Sequence, residues 1–166
     1  QNWSIAQDKQ GRMFFGNNKG LLEYDGYYWN LYPIPTNGII RSIYIGEDGK
    51  IYVGSFEEFG YFERDTTNRL IYHSLKQNVA DYNFHNDEIW NILHVDGKIL
   101  FHSFASDFIF DGQNTTGRRL NHMPLNFFRI DSTLYSQQIN NGLNTYSNHK
   151  FTNLLSREAV NDDIVK

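Results

Sequence analysis

Along Ile40–Asp65, IRSIYIGEDGKIYVGSFEEFGYFERD, apolar and polar residues alternate in three short runs. The runs Arg41–Ile45, Ile51–Gly54 and Gly60–Glu63 are rich in Ile, Val, Tyr and Phe, and a Gly-Glu-Asp-Gly-Lys turn separates the first two. Period two puts alternate side chains on opposite faces of a pleated ribbon, and β-branched and aromatic residues suit such a half-buried surface. An Asp-Gly step between alternating runs predicts an antiparallel hairpin, because Gly49 can take the positive φ that matches the turn to the twist of its strands. The stretch therefore predicts a β-meander.

The same order of parts recurs along the chain. Trp3–Gln7, Met13–Gly16, Leu21–Gly26 and Tyr27–Ile34 form a first unit, in which Gly11 and Gly16 precede Gly49 and Gly54 by 38 residues. The second unit closes on Leu70–Leu75. Ile89–His94, Ile99–Phe104, Asp107–Gly112 and a weaker strand Arg118–His122 make a third, and Asn126–Ile130, Leu134–Ile139 and Gly142–Leu154 a fourth. The units divide the chain at about 1–38, 39–86, 87–124 and 125–160, with 161–166 leading into a further unit. Lys76–Glu88 is an insertion between units two and three. Four strands per repeat of about 40 residues predict an all-β chain: a β-propeller fragment of four four-stranded antiparallel blades. Four blades lie at the bottom of the usual range of about 4–8, and the chain stops inside a fifth, so an incomplete ring is expected. Open ends expose backbone groups and blade faces, which predicts self-association or coverage by remaining blades of the same protein.

Composition narrows the function. With 166 residues and 40% hydrophobic residues the chain can bury a core. A net charge of −4 without a basic block argues against nucleic-acid binding by this segment. The absence of Cys removes disulfides, thiolate metal sites and Cys nucleophiles. No run approaches the roughly 18 apolar residues of a membrane span. Because the chain begins at Gln1, a processed or excised piece is expected, with any membrane contact made through parts that follow it.

NWSIAQDKQGRMFFGNNKGLLEYDG resembles the two-component regulator propeller repeat, and IRSIYIGEDGKIYVGSFEEFGYFERD with FHNDEIWNI (Phe84–Ile92) resembles one branch of it. That branch is the periplasmic sensor region of Bacteroidetes regulators, in which a triple-tyrosine domain, a membrane helix and a histidine kinase or helix-turn-helix output follow the propeller. The resemblance implies a non-catalytic, periplasmic, ligand-sensing segment that responds to a glycan or its breakdown product. A protein-interaction or dimerisation scaffold is the alternative, and a propeller lyase or glycosidase a third reading.

Catalytic sets are not apparent. His85-Asn86-Asp87-Glu88 is the densest polar cluster and His102 lies in the same unit, but no HxH or HExxH spacing exists, so neither metal nor cofactor is expected. Adjacent Glu57 and Glu58 should point apart, whereas glycoside hydrolysis needs two carboxylates facing one sugar ring. The aromatics Trp3, Phe14, Tyr52, Trp90, Phe101 and Tyr135 fall on repeated strand positions and are expected in the core, while Phe56, Phe59, Tyr82 and Phe84 fall in loops. Strands of a blade run inside to outside, so the loop leading into a first strand and the loop between strands two and three share one face. Blades two and three then bring Phe56, Glu57, Glu58, Tyr82, Phe84, His85, Asn86, Asp87 and His102 to one rim as a candidate site for a small-molecule or oligosaccharide ligand. The other reading of the insertion is that Tyr82 and Phe84 fold back over the joint between the two blades.

Overall fold

The computed structural model describes residues 1–160, so the expected start of a fifth blade at 161–166 lies outside the described residues. Four antiparallel sheets of four strands follow one another along the chain, each a simple meander. Blade one comprises β1 (Asn2–Gln7), β2 (Met13–Asn17), β3 (Gly20–Tyr24) and β4 (Trp29–Tyr32). Blade two comprises β5 (Ser42–Ile45), β6 (Ile51–Ser55), β7 (Glu58–Arg64) and β8 (Leu70–Ser74). Blade three comprises β9 (Asn91–Val95), β10 (Lys98–His102), β11 (Ser106–Phe110) and β12 (Thr115–Arg119). Blade four comprises β13 (Pro124–Ile130), β14 (Thr133–Gln138), β15 (Gly142–Ser147) and β16 (Lys150–Leu155). The first strands β1, β5 and β9 lie side by side, which sets the blades radially with their last strands outermost.

Turn chemistry places the strands. Gly11, Gly49 and Gly97 hold φ of 85°, 80° and 73° between the first two strands of blades one to three, and Asp131 takes 52° in blade four. Asn148 and His149 both have positive φ between β15 and β16, the backbone of a two-residue hairpin that keeps the strand twist. The last strand of blade three begins at Thr115, three residues before the expected Arg118. Asp111 accepts hydrogen bonds from the backbone N–H of Gln113 and Asn114 at 2.9 and 2.8 Å, which closes the turn at once and pairs Thr115 with Phe110.

Three apolar layers lie between the four blades. Phe14, Leu21, Ile51, Val53 and Phe62 fill the first joint, Tyr52, Phe59, Ile89, Phe101 and Phe108 the second, and Leu100, Ile109, Leu134 and Tyr146 the third. Of the expected core aromatics, Phe14, Tyr52 and Phe101 are buried, but Trp3 is exposed and Trp90 and Tyr135 are half-buried. Trp3 and Trp90 lie instead against the Arg41 guanidinium, at 3.8 and 5.2 Å, on the face their strand neighbours do not take. Tyr135 lies on the outer face of blade four, stacked on Phe128 with ring centroids 5.6 Å apart.

Gly16 and Gly54 hold close approaches. A Cβ on Gly54 would sit 2.5 Å from Ile89 Cγ2 and from Ser42 Oγ, and one on Gly16 would sit 2.6 Å from the Ile40 carbonyl oxygen. Each glycine therefore admits the residue that leads into the next blade. Gly54→Ala is expected to lower unfolding free energy by about 1–3 kcal/mol through overpacking, read as a lower urea midpoint at unchanged m. An unchanged midpoint would show that the joint can open to take the methyl.

Candidate functional site

The insertion after β8 organises the face on which the β6–β7 and β10–β11 loops lie. A 3₁₀ turn, Lys76–Asn78, starts it, and Val79 bridges to Thr115 on the outer strand of blade three. The chain then turns inward. Phe84 stacks on Phe108 at 5.2 Å and lies 6.3 Å from Phe59, while Tyr82 meets Phe108 edge-on at 4.8 Å. Both rings cover the joint between blades two and three, as the second sequence reading has it. Beyond them the insertion rises to the β6–β7 tip. Phe56 bridges to Glu88, the Glu57 N–H donates to the Asp87 carbonyl at 2.8 Å, and the Asn86 N–H donates to Glu57 Oε1 at 2.9 Å.

Asp87 anchors this loop. Its buried carboxylate accepts from Tyr82 Oη at 2.9 Å, Ser103 Oγ at 3.0 Å and the His85 N–H at 3.1 Å, with Arg119 Nη1 at 3.4 Å. Burial raises its pKa, but the hydrogen bonds from His85, Tyr82, Ser106 and Ser103 outweigh burial and hold it below the ordinary value. Burial and the same carboxylate push the Tyr82 phenol up to about 12, so it remains a donor at neutral pH.

The nine candidate residues thus fall into three groups. Phe56, Glu57, His85 and Asn86 lie together at the rim, and Phe56 is 52% exposed. Tyr82, Phe84 and Asp87 form the layer beneath. Glu58 and His102 are buried away from both. Glu58 accepts from Tyr72 Oη at 2.8 Å and Ser74 Oγ at 2.7 Å inside blade two, so its side chain leaves Glu57 as strand alternation requires. His102 Nδ1 lies 2.8 Å from Asp107 Oδ1, and its ring meets Phe127 edge-on in the joint between blades three and four. Asp107 also accepts from Arg118 Nη2 at 2.8 Å. With His102 1% and Asp107 0% exposed, no substrate reaches this pair. Among the described residues no group of three His, Cys, Asp or Glu could hold a metal ion.

A second cluster at the same rim escapes pattern reading. Arg41 lies between two indoles, its guanidinium carbon 3.8 Å from the Trp3 ring centre and 5.2 Å from that of Trp90. Glu88 Oε1 accepts from Arg41 Nε at 2.5 Å, and Trp3 Nε1 donates to Asn18 Oδ1 at 2.7 Å. Phe104, 44% exposed in the β10–β11 loop, lies 5.8 Å from Trp90. Trp3, Arg41 and Trp90 occupy one repeat position: each precedes the residue that pairs with Gly16, Gly54 or His102. That equivalence was available from the repeat register; the stacking of unlike side chains at it was not. An Arg between two rings gains a cation–π attraction of about 0.5–2 kcal/mol and holds both indoles in fixed orientation.

Radially set, four-stranded antiparallel meanders define the chain as β-propeller in fold. The solved structures it is similar to share that architecture. The extracellular domain of a putative one component system, BT4673, from B. thetaiotaomicron superposes at TM-score 0.65 with 21% identity, over 92% of this chain and 21% of that one. Virginiamycin B lyase from Staphylococcus aureus gives TM-score 0.69 at 12% identity, over 91% of this chain and 54% of the enzyme. PorZ, a surface component of the type-IX secretion system of Porphyromonas gingivalis, gives 0.67 at 14% identity, over 95% of this chain and 27% of PorZ. The chain spans about a fifth of the length of the BT4673 domain. No family model and no curated protein matches the chain.

Proposed function

We propose that this chain is a non-catalytic, extracytoplasmic ligand-sensing segment of a propeller receptor, and that its ligand is a glycan or a glycan breakdown product. The observation that carries the reading is the rim itself. Trp3 (40% exposed), Trp90, Phe104 and Phe56 present ring surface there. Glu57, Asn86, Glu88 and Asn18 stand beside them with oxygen and amide groups. Sugars present apolar C–H faces and hydroxyl edges together, so rings flanked by hydrogen-bonding side chains complement both. Loops on a rigid repeat scaffold are also where binding residues concentrate. The repeat pattern resembles that of periplasmic sensors, and the similarity to an extracellular domain of a signalling system fits the same reading. Periplasmic placement and an output module reached through a membrane helix belong to this proposal; among the described residues no helix is long and apolar enough to cross a membrane.

The reading is tested by screening neutral oligosaccharides for quenching of tryptophan fluorescence, then titrating the one that binds. Phe104→Ala, at a ring 44% exposed, is expected to weaken binding roughly tenfold, the worth of one well-placed aromatic platform, with the melting temperature nearly unchanged. No response from any sugar, or full affinity in the variant, would count against the rim.

A scaffold reading is favoured by a different surface. Ile5, Phe15, Leu22 and Leu31 lie directly opposite one another across blade one, and Met13, Tyr24 and Trp29 continue the row on the same face. Ile5, Trp29 and Leu31 are exposed. Thirty-eight residues on, the equivalents of Ile5, Met13, Phe15 and Tyr24 are Ile43, Ile51, Val53 and Phe62, which pack in the joint against blade one. The free face is therefore built to receive another blade, from the same protein or from a second copy.

A further inference from the structure

Six steps in the chain place Gly directly after Asn or Asp: Asn37–Gly38, Asn141–Gly142, and Asp25, Asp48, Asp96 and Asp111 with the glycines that follow them. Five of the six are tight turns, in which Gly26, Gly49, Gly97, Gly112 and Gly142 hold positive φ between 68° and 103°. In each of these five the side chain before the glycine is held. Asp25 and Asp111 accept from backbone N–H groups two and three residues on, Asp48 from the Lys50 N–H, and Asp96 from the Asn148 N–H at 2.7 Å. Asn141 Nδ2 donates to Gln138 Oε1 at 2.7 Å, and the Asn141 carbonyl accepts from Asn153 Nδ2 at 2.6 Å.

Asn37 is held by none of this. Gly38 lacks the positive φ of the other glycines; its small size instead admits Ser55, whose Oγ would lie 2.8 Å from a Cβ there. Asn37 itself carries the left-handed backbone, with φ of 51°, which L residues adopt at a cost. Its side chain is exposed, and among the described residues neither its amide nor the Gly38 N–H has a hydrogen bond. The Gly38 nitrogen can therefore turn toward the Asn37 side-chain carbonyl without breaking a contact, and no Cβ on Gly38 stands in the way. Attack on Cγ gives a cyclic succinimide. The N–Cγ bond forms, the Cγ–Nδ2 bond breaks, and Nδ2 leaves as ammonia with the proton of the Gly38 nitrogen. Water then opens the ring at either carbonyl carbon, leaving aspartate or isoaspartate.

We propose that Asn37 is a site of spontaneous modification, converted to aspartate and isoaspartate, while Asn141 is protected by its hydrogen bonds. The loop leads into blade two on the face of the rim, so the product places a new carboxylate there, near Ser55 at the foot of the Phe56–Glu57 tip. The test is to age the protein in mildly alkaline buffer and map its peptides by mass spectrometry. The peptide containing residue 37 is expected to gain the mass of an amide-to-acid change and to split into two chromatographic species. Asn141 should react roughly tenfold more slowly, because its side-chain hydrogen bond must open first. In urea the two sites should react at similar rates, since the contacts that distinguish them are gone. Asn37→Gln should remove the acidic species that ageing produces on ion exchange. No acid at residue 37 in the folded protein, or equal rates at 37 and 141 before unfolding, overturns the proposal.

Discussion

Asp87→Ala is expected to destabilise the protein by about 3–5 kcal/mol, the cost of breaking a buried charged network by removing one member. The carboxylate accepts from Tyr82, Ser103 and the His85 backbone at 2.9–3.1 Å and faces Arg119. Its loss leaves the Arg119 charge without its carboxylate and the insertion without its anchor. Urea unfolding measures the loss, and hydrogen exchange over 79–89 locates it. Asp87→Asn keeps the shape and part of the bonding, so its loss should be smaller. The wild type carries a pH signature as well. Because the folded-state pKa lies below that of an ordinary aspartate, about 4, Asp87 contributes stability that is fully present above about pH 4. That contribution is lost as pH falls through the folded-state value. Asp87→Asn should flatten the stability profile in this acid window. An unchanged profile would show that the carboxylate is not the anchor.

Second in magnitude is association through the free face of blade one. The protein is expected to sediment as a dimer or larger, and Ile5→Glu with Leu31→Glu to return it to monomer. Two aliphatic side chains withdrawn from a contact, at about 1.5–3 kcal/mol each, weaken it by on the order of 100-fold or more. Both residues are exposed, so the variant should keep the melting behaviour of the blades themselves. A wild type that stays monomeric at high concentration would remove self-association as the partner of this face and leave coverage by further blades.

Most of the architecture was legible because it is local. Alternation at period two, Asp-Gly turns and the 38-residue offset between Gly11 and Gly49 or Gly16 and Gly54 suffice to specify four meanders and their order. Where local signals were weak, boundaries moved: Thr115 and Thr116 entered β12 because Asp111 closed its turn early. The rim was partly legible. Loop placement follows from strand direction, so Phe56, Glu57, His85 and Asn86 could be assigned to one face from the order of strands alone.

What lies between blades needed the tertiary structure. Whether Tyr82 and Phe84 face solvent or the joint depends on Phe59 and Phe108, which reach the same place from two different sheets. His102 replaces a glycine of the repeat, and only the position of Asp107 and Phe127 decided that its ring turns into the next joint. The Trp3–Arg41–Trp90 stack joins residues dozens of positions apart through side chains that alternation cannot aim. Periodicity fixes which face of its own sheet a side chain takes. The neighbouring blade decides what it meets there, because burial and charge pairing are settled between sheets rather than within one.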